Sequence, residues 1–198
     1  MKKISYQGEL GAYSHLAALS INPKAEIIPC KTFDECFSKA SSEPENKIII
    51  PESNRITGNI GIEYLIFKHR LNIYMEHFQK IEHNLLGQPG SKLKDIKEVY
   101  SHAQGLSQCS KFIKENNLTE HIRADTAGSA EMISKTKNTK QAAIASSLSA
   151  EIYGLEVIKK NIENEDGNLT RFLVMGKNIS QPEFKDKNYI TSFLFKLK

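Results

Sequence analysis

The sequence contains no tryptophan and only three cysteines, Cys30, Cys36 and Cys109, among its 198 residues. The cysteines form no Cys-x-x-Cys pair, and no histidine lies beside them at the spacing of a zinc finger. We therefore expect neither a disulfide framework nor a metal site, and we expect reduced thiols, as in the cytoplasm. A chain of this length can bury a sizeable core without such cross-links.

Long apolar segments are also missing from the sequence. The N-terminus carries Lys2 and Lys3 but no apolar stretch behind them, and no run approaches the length needed to cross a bilayer. These features predict a soluble cytoplasmic protein that has no membrane partner.

The chain lacks a block of basic residues with interleaved aromatic residues, although its net charge is +4 and its pI is about 8.8. The lysines are spread along the sequence, which argues against nucleic acid as a partner. The excess of positive charge suits an anionic small-molecule substrate, and it suits a solvated lysine-rich surface equally well.

Predicted strands and helices alternate along the chain. The first predicted strand ends at Gly8 and Gly11, and a helix follows that starts near Ser14. A strand, a glycine turn and a helix start form the geometry of an anion-binding loop. Ser14 is either a helix N-cap or a donor to a bound carboxylate.

Four polar turns occupy the same position relative to a predicted strand. They are residues 8–14, 53–58, 101–108 and 126–129. Because βα units favour parallel sheets, and because ligands bind outside the carboxyl ends of such strands, we expect these turns to meet at one site. We also expect the strand before the second turn to stop at Pro51, and we expect residues 103–117 to form one helix.

Several motifs occur in an order that resembles one enzyme family. Residues 168–172 (NLTRF) resemble the Asn-x-Thr-Arg-Phe signature of prephenate dehydratases. Residues 6–18 resemble the N-terminal Gly-x-x-Gly-x-[Tyr/Phe]-Ser-x-x-Ala element of that family, and residues 101–109 resemble its Ser-His-x-Gln-x-x-x-Gln-Cys motif. Residues 125–130 (DTAGSA) also follow the order and spacing of the family, so the resemblance extends from about residue 4 to about residue 176.

The resemblance implies an α/β fold with two lobes, mixed sheets and a cleft between the lobes, similar to type 2 periplasmic binding proteins. The first lobe would contain residues 1–74 and 165–182, and the second lobe would contain residues 75–164. Residues 183–198 would form a linker and the first strand of a truncated ACT-type regulatory domain.

The activity implied by the resemblance is the decarboxylative dehydration of prephenate to phenylpyruvate, carbon dioxide and water in L-phenylalanine biosynthesis. Such an enzyme is a lyase that uses no cofactor and no metal, and the family resemblance suggests a homodimer or a homotetramer. Two alternatives stay open: an arogenate dehydratase, and a catalytically silent two-lobed sensor of a small molecule.

The resemblance also assigns the site residues. Thr170 would donate a hydrogen bond to the leaving hydroxyl group, and Arg171 would orient the pyruvyl carboxylate or the cleft wall. Arg171 should not grip the ring carboxylate tightly, because this would stabilise the group that must leave. The implied catalytic residues are Thr170, Ser101, Gln108 and Arg171. The implied substrate-binding residues are Asn54, Ser14, Thr126, Gly128, Ser129, Phe172 and Asn168.

One loop departs from the family pattern, which is Pro-Ile-Glu-Asn-Ser-x-x-Gly. An alignment on Pro51 and Gly58 retains Asn54 but places Ser53 where the family has glutamate, whereas a shift by one residue gives Glu52 the acidic role.

The histidines give a weaker signal. His102 is either a base or a polar residue near a strand end, and we assign no chemistry to His69, His77 or His83.

Overall fold

A computed structural model describes residues 1–178 of the chain. In chain order, the strands are β1 (Lys3–Gln7), β2 (Glu26–Cys30), β3 (Asn46–Asn54), β4 (Gly58–Asn59), β5 (Asn72–Lys80), β6 (Asn84–Gly87), β7 (Glu98–His102), β8 (Thr119–Arg123), β9 (Gln141–Ala145), β10 (Glu156–Lys159) and β11 (Leu169–Gly176). The helices are α1 (Tyr13–Ile21), α2 (Phe33–Ser42), α3 (Glu63–His69), α4 (Ala103–Gln108), α5 (Ser110–Glu115), α6 (Thr126–Thr136) and α7 (Ser147–Tyr153), and a 3₁₀ turn covers Leu93–Asp95.

The first sheet has the strand order β2-β1-β3-β11-β5, and the short β4 pairs with β3. Strands β1, β2 and β3 are parallel, whereas β11 runs antiparallel to both of its neighbours, β3 and β5. The last strand among residues 1–178 is therefore inserted into the sheet that the N-terminal part of the chain begins.

The second sheet has the order β10-β6-β9-β7-β8, in which β7, β8 and β9 are parallel and β6 and β10 are antiparallel to their neighbours. The expected α/β architecture with two lobes and mixed sheets is confirmed. Strand β5 extends the first sheet to Lys80, and the second sheet starts at Asn84. The expected division into residues 1–74 with 165–182 and residues 75–164 stays a prediction. The segment 183–198, for which we expect a linker and an ACT-type strand, lies outside the described residues.

Helices cover both faces of the first sheet, and this explains the continuous apolar run of β11. Leu173 and Met175 pack with residues of α2 and α3 on one face. Phe172 and Val174 pack with α1 on the other face. A strand that is buried on both faces needs apolar residues at successive positions.

Two local expectations were wrong. Strand β3 does not stop at Pro51 but continues to Asn54. Proline is tolerated there because the pairing of β3 with β1 ends at Ile49, before Pro51. The ladder between β3 and β11 also shifts its register opposite Arg171 and Phe172. This shift leaves Glu52 as the extra residue of a β-bulge.

The second correction concerns residues 103–117, which form two short helices that meet at Cys109 instead of one. The buried Cys109 belongs to the core of the second lobe.

No helix among residues 1–178 is both long enough and apolar enough to cross a membrane.

Candidate active site

A cavity of about 190 Å³ opens between the two lobes at the carboxyl ends of the parallel strands. All four polar turns contribute to it, as expected. Its lining residues are Tyr13, Ser14, Pro51, Asn54, Thr57, Ile60, Ile81, His83, His102, Gln104, Gly105, Gln108, Thr126, Thr170 and Phe172.

Asn54 and Thr170 form the wall of the first lobe, where β3 and β11 pair. The side-chain carbonyl of Asn54 accepts from the backbone N–H groups of Ile56 and Thr57, at 2.9 Å and 3.1 Å. Its amide nitrogen therefore faces the other way and donates to Thr170 Oγ1 and to Asn168 Oδ1, each at 2.8 Å.

This arrangement fixes the direction of the Thr170 hydroxyl group. The oxygen accepts from Asn54, so the hydroxyl proton is left to donate elsewhere, and the side chain lines the cavity. A hydroxyl group that accepts one hydrogen bond donates a stronger second one. Thr170 is 7% exposed, which keeps most of the water away from this donor.

Gln108 lines the cavity from the second lobe. Its Oε1 accepts from Asn168 Nδ2 at 3.2 Å and lies 2.7 Å from His83 Nε2. The buried His83 is also 2.9 Å from the Tyr13 hydroxyl group through Nδ1. Burial lowers the pKa of His83 and raises the pKa of Tyr13, so both side chains are neutral at neutral pH.

Two helices begin at the cavity, α1 beside Ser14 and α6 at Thr126. The residue that precedes α1 is Ala12 and makes no side-chain cap, so the interpretation of Ser14 as an N-cap is wrong. Helix N-termini carry free N–H groups and partial positive charge, which favour bound anions.

Two predicted binding residues, Gly128 and Ser129, instead complete the start of α6. Gly128 N donates to the carboxylate of Asp125 at 2.6 Å, and Ser129 Oγ donates to the Asp125 carbonyl at 2.7 Å. Neither residue lines the cavity. Asn168 is also absent from the lining, but it bridges Asn54 and Gln108 behind the wall.

Arg171 and Ser101 do not line the cavity either. Successive side chains of a strand point to opposite faces, so Arg171 turns away where Thr170 and Phe172 turn inward. Its guanidinium group contacts Glu76 at 2.8 Å and Glu52 at 3.3 Å. These contacts agree with the expectation that Arg171 orients the cleft wall, and its alternative role on the pyruvyl carboxylate stays a prediction.

Ser101 is fully buried in β7 and donates to the Ile144 carbonyl at 2.7 Å. Ser101 and Gln108 lie on different elements, because Ser101 belongs to β7 and Gln108 ends α4.

The structure adds residues that the sequence pattern did not assign. His83 and Tyr13 line the cavity, although His83 gave no motif signal. His102 also lines the cavity and caps α4, with Nδ1 accepting from the Gln104 N–H at 3.3 Å. A neutral His102 therefore carries its proton on Nε2, where it is a donor.

The two lobes meet at the turn before α1. The Gly11 carbonyl accepts from Ser146 Oγ at 2.6 Å and from Ser149 Oγ at 3.0 Å, and both serines lie at the start of α7. Tyr153 donates to the Leu10 carbonyl at 2.9 Å.

Among residues 1–178, no group of three or more histidine, cysteine or acidic side chains is placed to hold a metal ion.

Comparisons with known proteins give the same result as the motifs. The chain is 38% identical over 197 residues to arogenate dehydratase/prephenate dehydratase 1 of Arabidopsis thaliana, which covers 99% of the chain and 50% of that protein. It is 33% identical to the bifunctional N-acyl-homoserine lactone acylase/prephenate dehydratase of Komagataeibacter europaeus, covering 98% of the chain and 69% of that protein. The chain thus spans about half the length of the Arabidopsis relative.

A solved structure is similar over most of the chain. The prephenate dehydratase from Staphylococcus aureus is 27% identical, with a TM-score of 0.78, and the match covers 90% of this chain and 67% of that chain. The prephenate dehydratase family model matches residues 4–180. The chain therefore belongs to the prephenate dehydratase family.

Proposed function

We propose that this chain catalyses the decarboxylative dehydration of prephenate to phenylpyruvate, a step of L-phenylalanine biosynthesis. The observation that carries the proposal is the Thr170 hydroxyl group, which lines the cavity while its oxygen accepts a hydrogen bond from Asn54. Its proton is therefore free to bond to a substrate oxygen.

In this reaction the bond between the ring and its carboxylate breaks and releases carbon dioxide. The electrons of that bond complete the aromatic ring, and the hydroxyl group on the opposite ring carbon leaves with its own bonding electrons. A proton that comes ultimately from solvent converts the departing hydroxide into water. The enzyme lowers the barrier if it places a donor on the leaving oxygen.

Thr170 takes this role in the proposal as a hydrogen-bond donor. Threonine is a weak acid, so it stabilises the charge that develops on the leaving oxygen without becoming a free alkoxide. Such preorganised donors are most effective in a site with little water, which the low exposure of Thr170 provides.

The carboxylates of prephenate would be held by neutral donors. Ser14 and Thr126, at the starts of α1 and α6, line the cavity, and so does Gln108 of α4. We assign their hydroxyl groups and the Gln108 amide nitrogen to the carboxylates. Neutral donors orient a carboxylate without the strong attraction of a direct ion pair. The ring carboxylate is thus held but not prevented from leaving.

The same donors favour prephenate over arogenate. Prephenate has a keto oxygen that accepts hydrogen bonds, whereas arogenate has an ammonium group that donates them. The donors assigned to the side-chain end of the substrate, His102 Nε2 and the Gln108 amide, match an acceptor.

A direct assay tests the proposal. The purified protein is mixed with prephenate, and phenylpyruvate is measured by its absorbance in alkali against a sample without protein, because prephenate also decomposes in acid. We expect turnover with prephenate and a lower kcat/KM with arogenate, whose product keeps the amino group and is measured as phenylalanine by amino-acid analysis. Absence of turnover with both compounds, together with saturable binding of prephenate, would instead identify a sensor.

The proposal includes a cytoplasmic location and a homodimer or homotetramer. The family resemblance supports the oligomer, and the three buried cysteines, none of them in a disulfide, agree with a reducing compartment. Light scattering coupled to size-exclusion chromatography measures the oligomeric state.

A further inference from the structure

We propose that His83 is a positioning residue that holds the side-chain amide of Gln108 in one orientation, with its nitrogen toward the substrate. His83 lies just before β6 and is 2% exposed. It contacts Gln108 through Nε2 and Tyr13 through Nδ1. The inference rests on the proposed function, because Gln108 matters only if its amide contacts a ligand.

The direction of each hydrogen bond follows from the chain of partners behind the wall. Asn54 is fixed by two backbone N–H groups, and its nitrogen donates to Asn168 Oδ1. Asn168 must then turn its nitrogen to Gln108, and it donates to Oε1. Gln108 Oε1 is thereby an acceptor, so His83 Nε2, at 2.7 Å from the same oxygen, has to be the donor.

This assignment determines what Gln108 presents to the cavity. Both bonds behind the wall occupy its oxygen, so its amide nitrogen is left to face the cavity with its N–H donors. If His83 carried its proton on Nδ1, the unprotonated Nε2 would repel the Gln108 oxygen, and the amide would turn its carbonyl toward the substrate. A carbonyl oxygen there would repel a carboxylate.

Tyr13 contacts the other ring nitrogen of His83 from the first lobe. Its hydroxyl group is 2.9 Å from His83 Nδ1 and 2.9 Å from the Glu82 carbonyl. With Nδ1 unprotonated, the phenol has a single proton for two acceptors, so Tyr13 does not select the tautomer, which follows from the Gln108 contact. The only carboxylate bonded to His83 among the described residues is Glu163, which accepts from the backbone N–H at 3.0 Å and not from the ring.

The first test reads the tautomer directly and needs no enzymatic activity. Nitrogen-15 NMR of the wild-type protein, with His83→Gln to assign the signals, shows which ring nitrogen of His83 carries the proton. We expect a protonated Nε2 and an unprotonated Nδ1. The opposite tautomer would overturn the inference whether or not the protein turns over prephenate, whereas the expected tautomer in an inactive protein would count against the proposed function alone.

The second test is a double-mutant cycle on kcat/KM with prephenate. His83→Phe removes the donor at similar volume, and we expect a loss of about tenfold or more, because small misplacements of a binding group are costly. His83→Gln keeps a donor near the position of Nε2 and should recover most of the activity. His83→Phe combined with Gln108→Leu should be no worse than Gln108→Leu alone.

A purely structural role for His83 gives different results. The losses of His83→Phe and Gln108→Leu would then multiply, and His83→Gln would be as impaired as His83→Phe. Either result would overturn the inference. Thermal unfolding of each variant shows whether it is folded, and His83→Gln supplies the comparison if His83→Phe does not fold.

Discussion

The orientation of one asparagine determines the chemistry of the residue beside it. Asn54 uses its carbonyl to accept from the backbone N–H groups of Ile56 and Thr57, so only its nitrogen is available to Thr170. Thr170 must then accept from Asn54 and donate into the cavity. A hydroxyl group without this partner would rotate between several directions, and its proton would face the substrate only part of the time.

We therefore expect Thr170→Val to lower kcat by about 10²-fold or more while the fold is kept, because valine has nearly the same shape but no donor for the leaving oxygen. Steady-state kinetics with prephenate measures the change, and circular dichroism checks the fold. Thr119→Val, on the exposed part of β8, is the matched control and should leave the rate unchanged. A Thr170→Val variant with the wild-type rate would remove Thr170 from the mechanism.

Arg171 shows which part of the site the sequence allowed us to predict. The signature names Thr170 and Arg171 together, but adjacent strand residues point to opposite faces, and this alternation is visible in the sequence. What the sequence does not reveal is the pair of carboxylates, Glu52 and Glu76, that meet Arg171 across neighbouring strands. Those contacts depend on the strand order, in which β11 lies between β3 and β5.

At the scale of elements, the turn before α1 connects the lobes through close contact. Gly11 has a positive φ of 89°, and a Cβ atom at this position would lie 2.6 Å from Ser149 Oγ and 2.8 Å from Ser149 Cα. The backbone of one lobe thus approaches the first turn of α7 in the other as closely as only glycine permits.

Gly11→Ala should therefore lower the free energy of unfolding by more than the strain of the left-handed backbone conformation alone accounts for. The left-handed conformation costs a residue with a side chain about 1–2 kcal/mol, and overpacking adds about 1–3 kcal/mol. Gly90→Ala is the matched control, since Gly90 has a φ of 81° and open space around it. Urea unfolding measures both free energies, and equal losses in the two variants would contradict the close approach.

Some elements followed from local sequence signals and others did not. Thr32 caps α2 by accepting from the Glu35 N–H at 3.1 Å, and Gly154 ends α7 with a φ of 66°. Threonine before a helix and glycine after one are signals that can be read from the sequence alone. The passage of β3 through Pro51 was not predictable, because it depends on a bulge in the ladder with β11. His83 was missed for a similar reason, since its ring partners lie 25 and 70 residues away in the sequence.

For the whole molecule, two buried histidines predict how stability depends on pH. Burial lowers the pKa of His83 and of His15 below the ordinary value of 6.5, and the Nδ1 atom of His15 accepts from the Gly11 N–H at 3.0 Å. The unfolded chain therefore takes up protons at a higher pH than the folded protein does. The two neutral histidines make their full contribution to the free energy of unfolding above about pH 6.5. This contribution is lost as the pH falls from about 6.5 toward the lowered pKa values of the folded protein.

We expect the free energy of unfolding to decrease between about pH 7.5 and about pH 5, where most carboxylates are still ionised. Urea titrations at a series of pH values measure this slope. In His83→Gln the slope should be shallower, because one of the two histidines is removed. An identical slope in the wild type and in His83→Gln would show that His83 does not contribute.

The position of β11 has a consequence for the order in which the chain folds during synthesis. The second sheet uses strands from Asn84 to Lys159 and is complete once the ribosome has released them. The first sheet begins earlier but keeps β3 and β5 apart until residues 169–176 arrive to lie between them. The lobe that is translated first is thus the lobe that is finished last, and Thr170 reaches the cavity only in that final step.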